Sequence, residues 1–366
     1  MSVSIGIIGL PNVGKSTTFN ALIQEQQAQA ENYPFCTIEP NKAIVPVPDA
    51  RLDQLAELVG VSNVIHATIE FVDVAGLVRG ASQGEGLGNQ FLGHIRDVDA
   101  ILHVVRGFDD DNVVHVHGQP DPAEDIAVVN TELALADYQQ LERRIEKLER
   151  QVKGNAKLQP VLDLAKGLLE SLAAGQTLWR DPRRDTPEFE ALNTEMRFLT
   201  AKPVAYAVNV DEAGLASDNA HVAAARAEAD AQGAPLFKLC ASLEAGLAGL
   251  DDAERGEYLA LAGIQDGGLA TIVRAAYNML GLISFFTFND AEARAWTVAQ
   301  GATAPQAAGQ IHADFEQGFI KAEVAPFPLF AEQGSWKALK EAGKLRLEGR
   351  DYVVQDGDVI YFRFNV

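Results

Sequence analysis

Gly9-Leu10-Pro11-Asn12-Val13-Gly14-Lys15-Ser16 is the stretch on which the reading of this chain turns. It is a complete G-x-x-x-x-G-K-S sequence. The short β-branched run Val3 to Ile8 before it reads as a strand, and Thr17 to Ile23 after it reads as a helix. The residue types follow from phosphate chemistry. Glycines let the backbone approach an anion and turn its N–H groups toward it, and the start of the following helix adds the positive end of its dipole. The expected phosphate cradle is therefore Asn12, Val13, Gly14, Lys15, Ser16 and Thr17. Lys15, as a catalytic charge stabiliser, would reach the β- and γ-phosphates, and Ser16 would ligate Mg²⁺. A strand, this loop and a helix together specify a P-loop nucleoside triphosphatase.

Working outward, Asp73-Val74-Ala75-Gly76 closes the apolar run Ile69 to Val72. An Asp at a strand end downstream of a P-loop is placed to hold Mg²⁺, and the Gly76 N–H to meet the γ-phosphate. Thr37, in Tyr33-Pro34-Phe35-Cys36-Thr37, occupies a switch position from which its hydroxyl can close on the same metal. Residues 80–93 contain Gly80, Gly84, Gly86, Gly88 and Gly93, a loop able to order over a nucleotide. P-loop GTPases place a Gln directly after D-x-x-G to orient the attacking water. Here that residue is Leu77, so hydrolysis is expected to be slow or to use another group. His94, His115 and His117 are the candidates, His115 first, because Val113-Val114 can dock its loop beside the site. Asn12 adds the option of a K⁺ ion beside the phosphates.

Guanine readers carry Asn-Lys-x-Asp at the end of a later strand. This chain has Asn209-Val210-Asp211-Glu212 there, with Val in place of Lys and the longer Glu in place of Asp. Adenine offers an N1 acceptor and no N2 amine, so a carboxylate aimed at N1 would repel it. Adenine recognition is accordingly expected from Asn209 and nearby backbone, with Val210 packing on the base and Glu212 turned elsewhere. The second base loop is expected at Cys240 to Glu244 and includes Ser242. ATP is the expected nucleotide, GTP the alternative.

The short apolar runs at Ile69 to Val72, Ala100 to Val105, Val204 to Val208 and Pro235 to Leu239 alternate with segments able to form helices. This predicts an α/β fold with a mostly parallel sheet. Between them the rhythm changes. Ala134, Tyr138, Leu141, Ile145, Leu148 and Val152 form a heptad seam, Gly154-Asn155 breaks it, and Val161, Ala165, Leu168 and Leu172 form a second. An antiparallel helical, coiled-coil-like arm is therefore expected over residues 131–199, with Phe189, Leu192, Met196 and Leu199 leading back to the sheet. Beyond Met279 the strands expected are Phe285 to Phe288, Ala295 to Val298, Phe319 to Val324 and Val359 to Phe364, with one helix from Pro305 to Phe315. The division that follows is a nucleotide-binding part over 1–130 and 200–282, the arm over 131–199, and a small α+β unit over 283–366.

The 366 residues suit two or three domains, and hydrophobic residues at 47% provide a sizeable core. No apolar run reaches the ~18–20 residues of a membrane span. The two cysteines, Cys36 and Cys240, cannot make a disulfide framework, and a cytoplasmic protein is expected. The net charge of −21 is unevenly spread. Residues 131–199 hold 11 basic and 12 acidic side chains and residues 283–366 hold 8 and 11, so most of the acidity lies in the nucleotide-binding part. That part is a poor adhesive for nucleic acid, whereas the two near-neutral segments can meet RNA through local basic patches. One such run is Lys337, Lys340, Lys344, Arg346 and Arg350, interleaved with Glu332, Glu341 and Glu348, a pattern whose default reading is a solvated face.

Taken together, Gly9–Ser16, Phe35 to Asn41, Asp73 to Leu77, Gly84 to Gln90, Asn209 to Glu212, Arg294-Ala295-Trp296-Thr297 and Gly301 to Gly309 resemble the Obg-related ATPases of the YchF, or Obg-like ATPase, family. The resemblance runs along essentially the whole chain. It implies a GTPase-like nucleotide domain, a coiled-coil arm and a C-terminal TGS domain of β-grasp form. It also implies ATP preference, a hydrophobic residue in place of the catalytic Gln, and association with the ribosome and its RNA in translation or stress responses. The expected protein is an ATP-binding, slowly hydrolysing switch, with a monomer as the expected state. The alternatives are a translation-factor-type GTPase and a regulatory nucleotide binder without useful turnover.

Overall fold

The computed structural model describes residues 3–28, 41–74, 87–110, 113, 115, 118–247, 250, 252–261 and 268–365. Thr37, Cys36, Gly76, Leu77 and His117, and most of the glycine-rich stretch, lie outside the described residues. From the amino end run β1 (Ser4–Ile8), α1 (Lys15–Ala28), β2 (Lys42–Pro46), α2 (Ala50–Val59), β3 (Val64–Ile65), β4 (Thr68–Asp73), α3 (Leu87–Asp97) and β5 (Ala100–Arg106). Then come α4 (Pro122–Val152), α5 (Gln159–Ala173) and α6 (Pro187–Met196). The chain continues through β6 (Val204–Asn209), α7 (Glu212–Ala216), α8 (Ala220–Gln232), β7 (Leu236–Leu239), α9 (Ala241–Leu247), α10 (Asp252–Leu261) and α11 (Gly268–Met279). The last part holds β8 (Leu282–Phe288), β9 (Ala293–Ala299), α12 (Ala304–Ile311), α13 (Ala313–Gln317), β10 (Phe319–Pro326), α14 (Phe327–Gln333), α15 (Trp336–Glu341), β11 (Arg346–Glu348) and β12 (Asp358–Phe364).

The first sheet has the order β2-β4-β1-β5-β6-β7. All neighbours are parallel except β2, which pairs antiparallel with β4. Its central strand β5 is buried along its whole length, as a parallel strand covered on both faces must be. The strand order turns back between β1 and β5. In such sheets ligands bind beyond the carboxyl ends of the strands at this switch point. The P-loop follows β1, Asp73 ends β4, Phe108 follows β5, Asn209 ends β6 and Ala241 follows β7, so the topology alone gathers the motif residues on one edge.

The arm's first helix is longer than its seam. α4 starts at Pro122, where Asp121 accepts from the N–H groups of Ala123 and Glu124, and Glu124 and Asp125 favour the positive helix start. It ends at Val152 with Lys153 as its cap, just before the Gly154-Asn155 break in the seam. Leu141, Ile145 and Leu148 pack with Leu162, Ala165, Leu168 and Leu172 of α5, and Phe189, Leu192 and Met196 of α6 join them. Each fully buried Leu in such a seam contributes about 1.5–3 kcal/mol. The arm is thus a three-helix unit with its own core rather than a bare hairpin.

In the last part the sheet order is β11-β10-β12-β8-β9-β3. β12 is parallel to β8, and the β8–β9, β10–β12 and β10–β11 pairs are antiparallel. With α12 packed through Ala304, Ala307 and Ala308 onto Phe285, Val324 and Ile360, this is a β-grasp arrangement. The single helix expected over Pro305 to Phe315 is two, because His312 takes an extended φ of −163° and its Nδ1 accepts from Asp314 N to start α13. β3 joins this sheet parallel to β9, and Arg51 at the start of α2 donates to Asp356 at 2.8 Å in the turn before β12. The basic run is tied into local pairs, Lys344 with Glu332 and Lys337 with Glu341 among them, while Arg350 donates to Phe319 O. Among the described residues no helix is long and apolar enough to cross a membrane.

Candidate nucleotide-binding site

At the carboxyl edge of the first sheet lies a cleft of about 470 Å³. Asn12, Gly14 and Thr17 of the P-loop form one side, Asn209, Val210, Asp211, Ala241 and Ser242 another, and Phe108, Asp109, Asp110 and Val113 a third. The P-loop is built for close approach. Asn12 has φ +63° and Gly14 φ +101°, and a Cβ on Gly14 would overlap the Asn209 amide. Ser16 and Thr17 are exposed at the start of α1, whereas Lys15 is 8% exposed and its Nζ donates to Leu10 O at 2.6 Å, within its own loop. Burial brings the Lys15 ammonium down to about 8, against the pull of Asp73 in the other direction. Burial likewise raises the Asp73 carboxyl, and Lys15 lowers it. The two groups therefore influence one another electrostatically, the positive charge in the P-loop and the negative one at the end of β4. The Ser16 hydroxyl and the Asp73 carboxylate are hard oxygen donors of the kind Mg²⁺ takes, with room left for phosphate and water ligands.

Asn209 is wired differently from the expected base reader. Its Nδ2 donates to Val13 O at 3.0 Å and its Oδ1 accepts from Ala241 N at 3.0 Å. It fastens the P-loop, β6 and the second base loop to each other, and one amide proton is left for a ligand. Val210 is nearly buried yet reaches the cleft wall. Glu212 is the exposed first residue of α7 and does not line the cleft; Asp211 does, its Oδ1 accepting from Gly214 N as the cap of α7. Ser242 lines the cleft as expected, with its hydroxyl 3.3 Å from Cys240 Sγ. Behind it Glu244 Oε1 accepts from Gly268 N at 2.6 Å and Leu269 N at 3.3 Å, tying α9 to the start of α11.

His115 is not among the residues lining the cleft. Its ring is 4% exposed and Nε2 lies 3.0 Å from Asp125 Oδ2 in the first turn of α4. Two residues earlier in the same loop, Val113 lines the cleft. His94 is exposed on α3, away from the lining residues. Two groups that the sequence reading passed over are Phe108, which lines the cleft, and Arg106, which donates to its carbonyl from beneath. Neither belongs to a recognised motif; the only sequence signal was an Arg at the carboxyl end of a strand apolar but for His103.

A mostly parallel sheet with this loop at its switch point, a buried lysine in the loop, and a cleft of about 470 Å³ beside it define a P-loop nucleotide-binding protein. Residues 4–155 match the family described as 50S ribosome-binding GTPase, and residues 282–365 match the YchF GTPase C-terminal family, described as a protein of unknown function (DUF933). Ribosome-binding ATPase YchF of Haemophilus influenzae is 49% identical over 377 residues, covering 100% of both chains. The protein of that name from Bacillus subtilis is 47% identical over 372 residues with the same coverage. Obg-like ATPase 1 of Pongo abelii is 44% identical over 376 residues, covering 100% of this chain and 93% of its own. The solved structure of the Schizosaccharomyces pombe YchF GTPase superposes with a TM-score of 0.88 at 34% identity, covering 99% of this chain and 98% of that one. The chain belongs to the YchF family.

Proposed function

We propose that this protein is an ATP-binding, slowly ATP-hydrolysing switch that associates with the ribosome in the cytoplasm. The observation that carries the reading is the P-loop geometry: Gly14 pressed against the Asn209 amide, Lys15 buried with its Nζ on Leu10 O, and Asn12, Gly14 and Thr17 lining a cleft of about 470 Å³. The relatives named ribosome-binding ATPases support the nucleotide and the partner. The backbone from Val13 to Thr17 cradles the phosphates, and Lys15 leaves Leu10 O to reach the β- and γ-phosphates. Ser16, Asp73 and Thr37 hold Mg²⁺, which when bound neutralises charge developing on the phosphate oxygens. Asn12 completes a site for K⁺, and the Gly76 N–H meets the γ-phosphate. The Phe108 ring and Val210 sandwich the base, while the free Asn209 amide proton and Ser242 address its edge. His115, its ring oriented by Asp125, takes the place of the missing Gln once its loop closes on bound nucleotide.

Asp211 favours a second reading. It places a carboxylate on the cleft wall, which suits the N1–H and N2 amine of guanine. Paired hydrolysis and sedimentation assays test the function as a whole. Wild-type protein is expected to hydrolyse ATP slowly and to co-sediment with ribosomes, and Lys15→Ala to hydrolyse none. Wild-type turnover that is undetectable with Mg²⁺, K⁺ and ribosomes present would make the protein a binder rather than an ATPase.

A further inference from the structure

Arg106, at the carboxyl end of β5, is 1% exposed, an unusual place for a guanidinium. All three of its nitrogens are used, and among the described residues each bonds a backbone carbonyl. Nε donates to Phe108 O at 3.0 Å, Nη2 to Asp110 O at 3.0 Å and Nη1 to Val113 O at 2.8 Å. The guanidinium carbon also sits 4.7 Å from the centre of the Phe108 ring. Phe108, Asp110 and Val113 all line the nucleotide cleft. One buried side chain therefore gathers three carbonyls of one loop and supports the aromatic face that loop presents. A planar fork does this with three nitrogens aimed in fixed directions and a flat face laid beside the Phe108 ring, whereas a lysine would have to draw the carbonyls to a single atom and offers no such face. A second fastener acts on the same loop from α8, where Asn219 Nδ2 donates to Gly107 O at 2.8 Å.

We propose that Arg106 is the positioning residue that makes the cleft selective for a nucleoside: it holds Phe108, Asp110 and Val113 so that Phe108 forms a wall against the base, without itself touching the ligand. This rests on the reading of the cleft as the base-binding site. The phosphate cradle is built separately, on β1 and α1, so Arg106 governs the base-dependent share of affinity and leaves the phosphate-dependent share alone.

The test compares two probes on the full chain with Mg²⁺ present: ATP, and inorganic tripolyphosphate, which has the phosphates and no base. Phe108→Ala is expected to weaken ATP at least tenfold and tripolyphosphate less than twofold. Arg106→Lys is expected to reproduce that pattern. Combined with Phe108→Ala it should add little further loss, because both changes remove the same wall. Asn219→Asp, which keeps an acceptor for the cap of α8 but loses the donor to Gly107 O, is expected to give a smaller loss in the same sense. It supplies the test if Arg106→Lys does not fold. Should Phe108→Ala leave the ratio of ATP to tripolyphosphate affinity unchanged, the base-wall reading fails. Should Phe108→Ala change it while Arg106→Lys and Asn219→Asp do not, or should the Arg106 and Phe108 effects simply add, Arg106 is structural only and the proposal is overturned.

Discussion

The root of the arm and the nucleotide cleft both bury charged groups, and they treat them in opposite ways. At the root, Asp137 is fully buried and accepts from Leu199 N at 3.0 Å and from Thr200 N and Oγ1 at 2.8 Å each, with Arg96 Nη1 at 3.7 Å. Arg96 in turn donates to Met196 O at 3.0 Å and Arg197 O at 3.1 Å, and Lys202 donates to Arg96 O at 3.1 Å. Burial still raises the Asp137 carboxyl, opposed by these hydrogen bonds and by Arg96. At the cleft, Lys15 is buried with Leu10 O as its one hydrogen-bond partner among the described residues, and the Ser16 hydroxyl is exposed. A finished network fixes a geometry, whereas an unfinished one keeps its interactions for a ligand. Changes at the root should therefore cost stability, and changes in the cleft should cost binding or turnover.

The largest expected effect is at the root. Asp137→Ala leaves three donors and Arg96 uncompensated, and should lower the unfolding free energy by about 3–5 kcal/mol. Urea unfolding measures it, and ATP affinity of the folded protein should stay within twofold. A loss of ATP affinity as large as the loss of stability would erase the contrast. Next comes His115→Ala, expected to slow hydrolysis by about 10²-fold or more while leaving ATP affinity nearly unchanged. Unimpaired hydrolysis would remove His115 from the reaction. Asp125→Asn, which loosens the ring's orientation, should give a smaller loss in the same assay.

Lys15 gives an effect of opposite sign. Its native value, about 8, lies below the ordinary 10.5, so its charged form is disfavoured by folding. The penalty is fully present below about pH 8 and fades as pH rises from there toward 10.5. Lys15→Met should consequently match or exceed wild-type stability at neutral pH, by on the order of 2 kcal/mol at most. That advantage should shrink through the same alkaline window in thermal melts, and a Lys15→Met protein less stable than wild type at pH 7 would contradict the reading. The smallest effect is expected from Arg51→Ala. Its partners Asp49 and Asp356 join the first sheet's region to the β-grasp unit, but the pair is partly exposed, and about 0–1 kcal/mol is expected.

What the sequence made legible was whatever is encoded locally. Gly9–Ser16 placed the phosphate loop, the alternation of short apolar runs located the parallel strands of the first sheet but not its antiparallel edge strand β2, and the 4-3 spacing of Leu141, Ile145 and Leu148 located the arm. What it hid was encoded between distant residues. Asn209 looks like a base reader in a linear motif, yet its amide is mostly spent on Val13 and Ala241. Asp211 and Glu212 are neighbours with the same charge, and only the turn into α7 decides which faces the cleft. Arg106 and Phe108 carry no spacing signature, because their partners are backbone carbonyls of any residue type. Short elements such as β3 and β11, two and three residues long, have no periodicity to read and exist because a neighbouring strand offers its edge.

The most direct test is an equilibrium titration of the full chain with fluorescent ATP and GTP analogues in Mg²⁺ and K⁺. Clearly tighter ATP binding is the expected result, with Val210 and Phe108 packing on adenine and the Asp211 carboxylate kept on Gly214 N, off the adenine N1. Clearly tighter GTP binding would contradict it, and would identify Asp211 as a guanine-reading carboxylate.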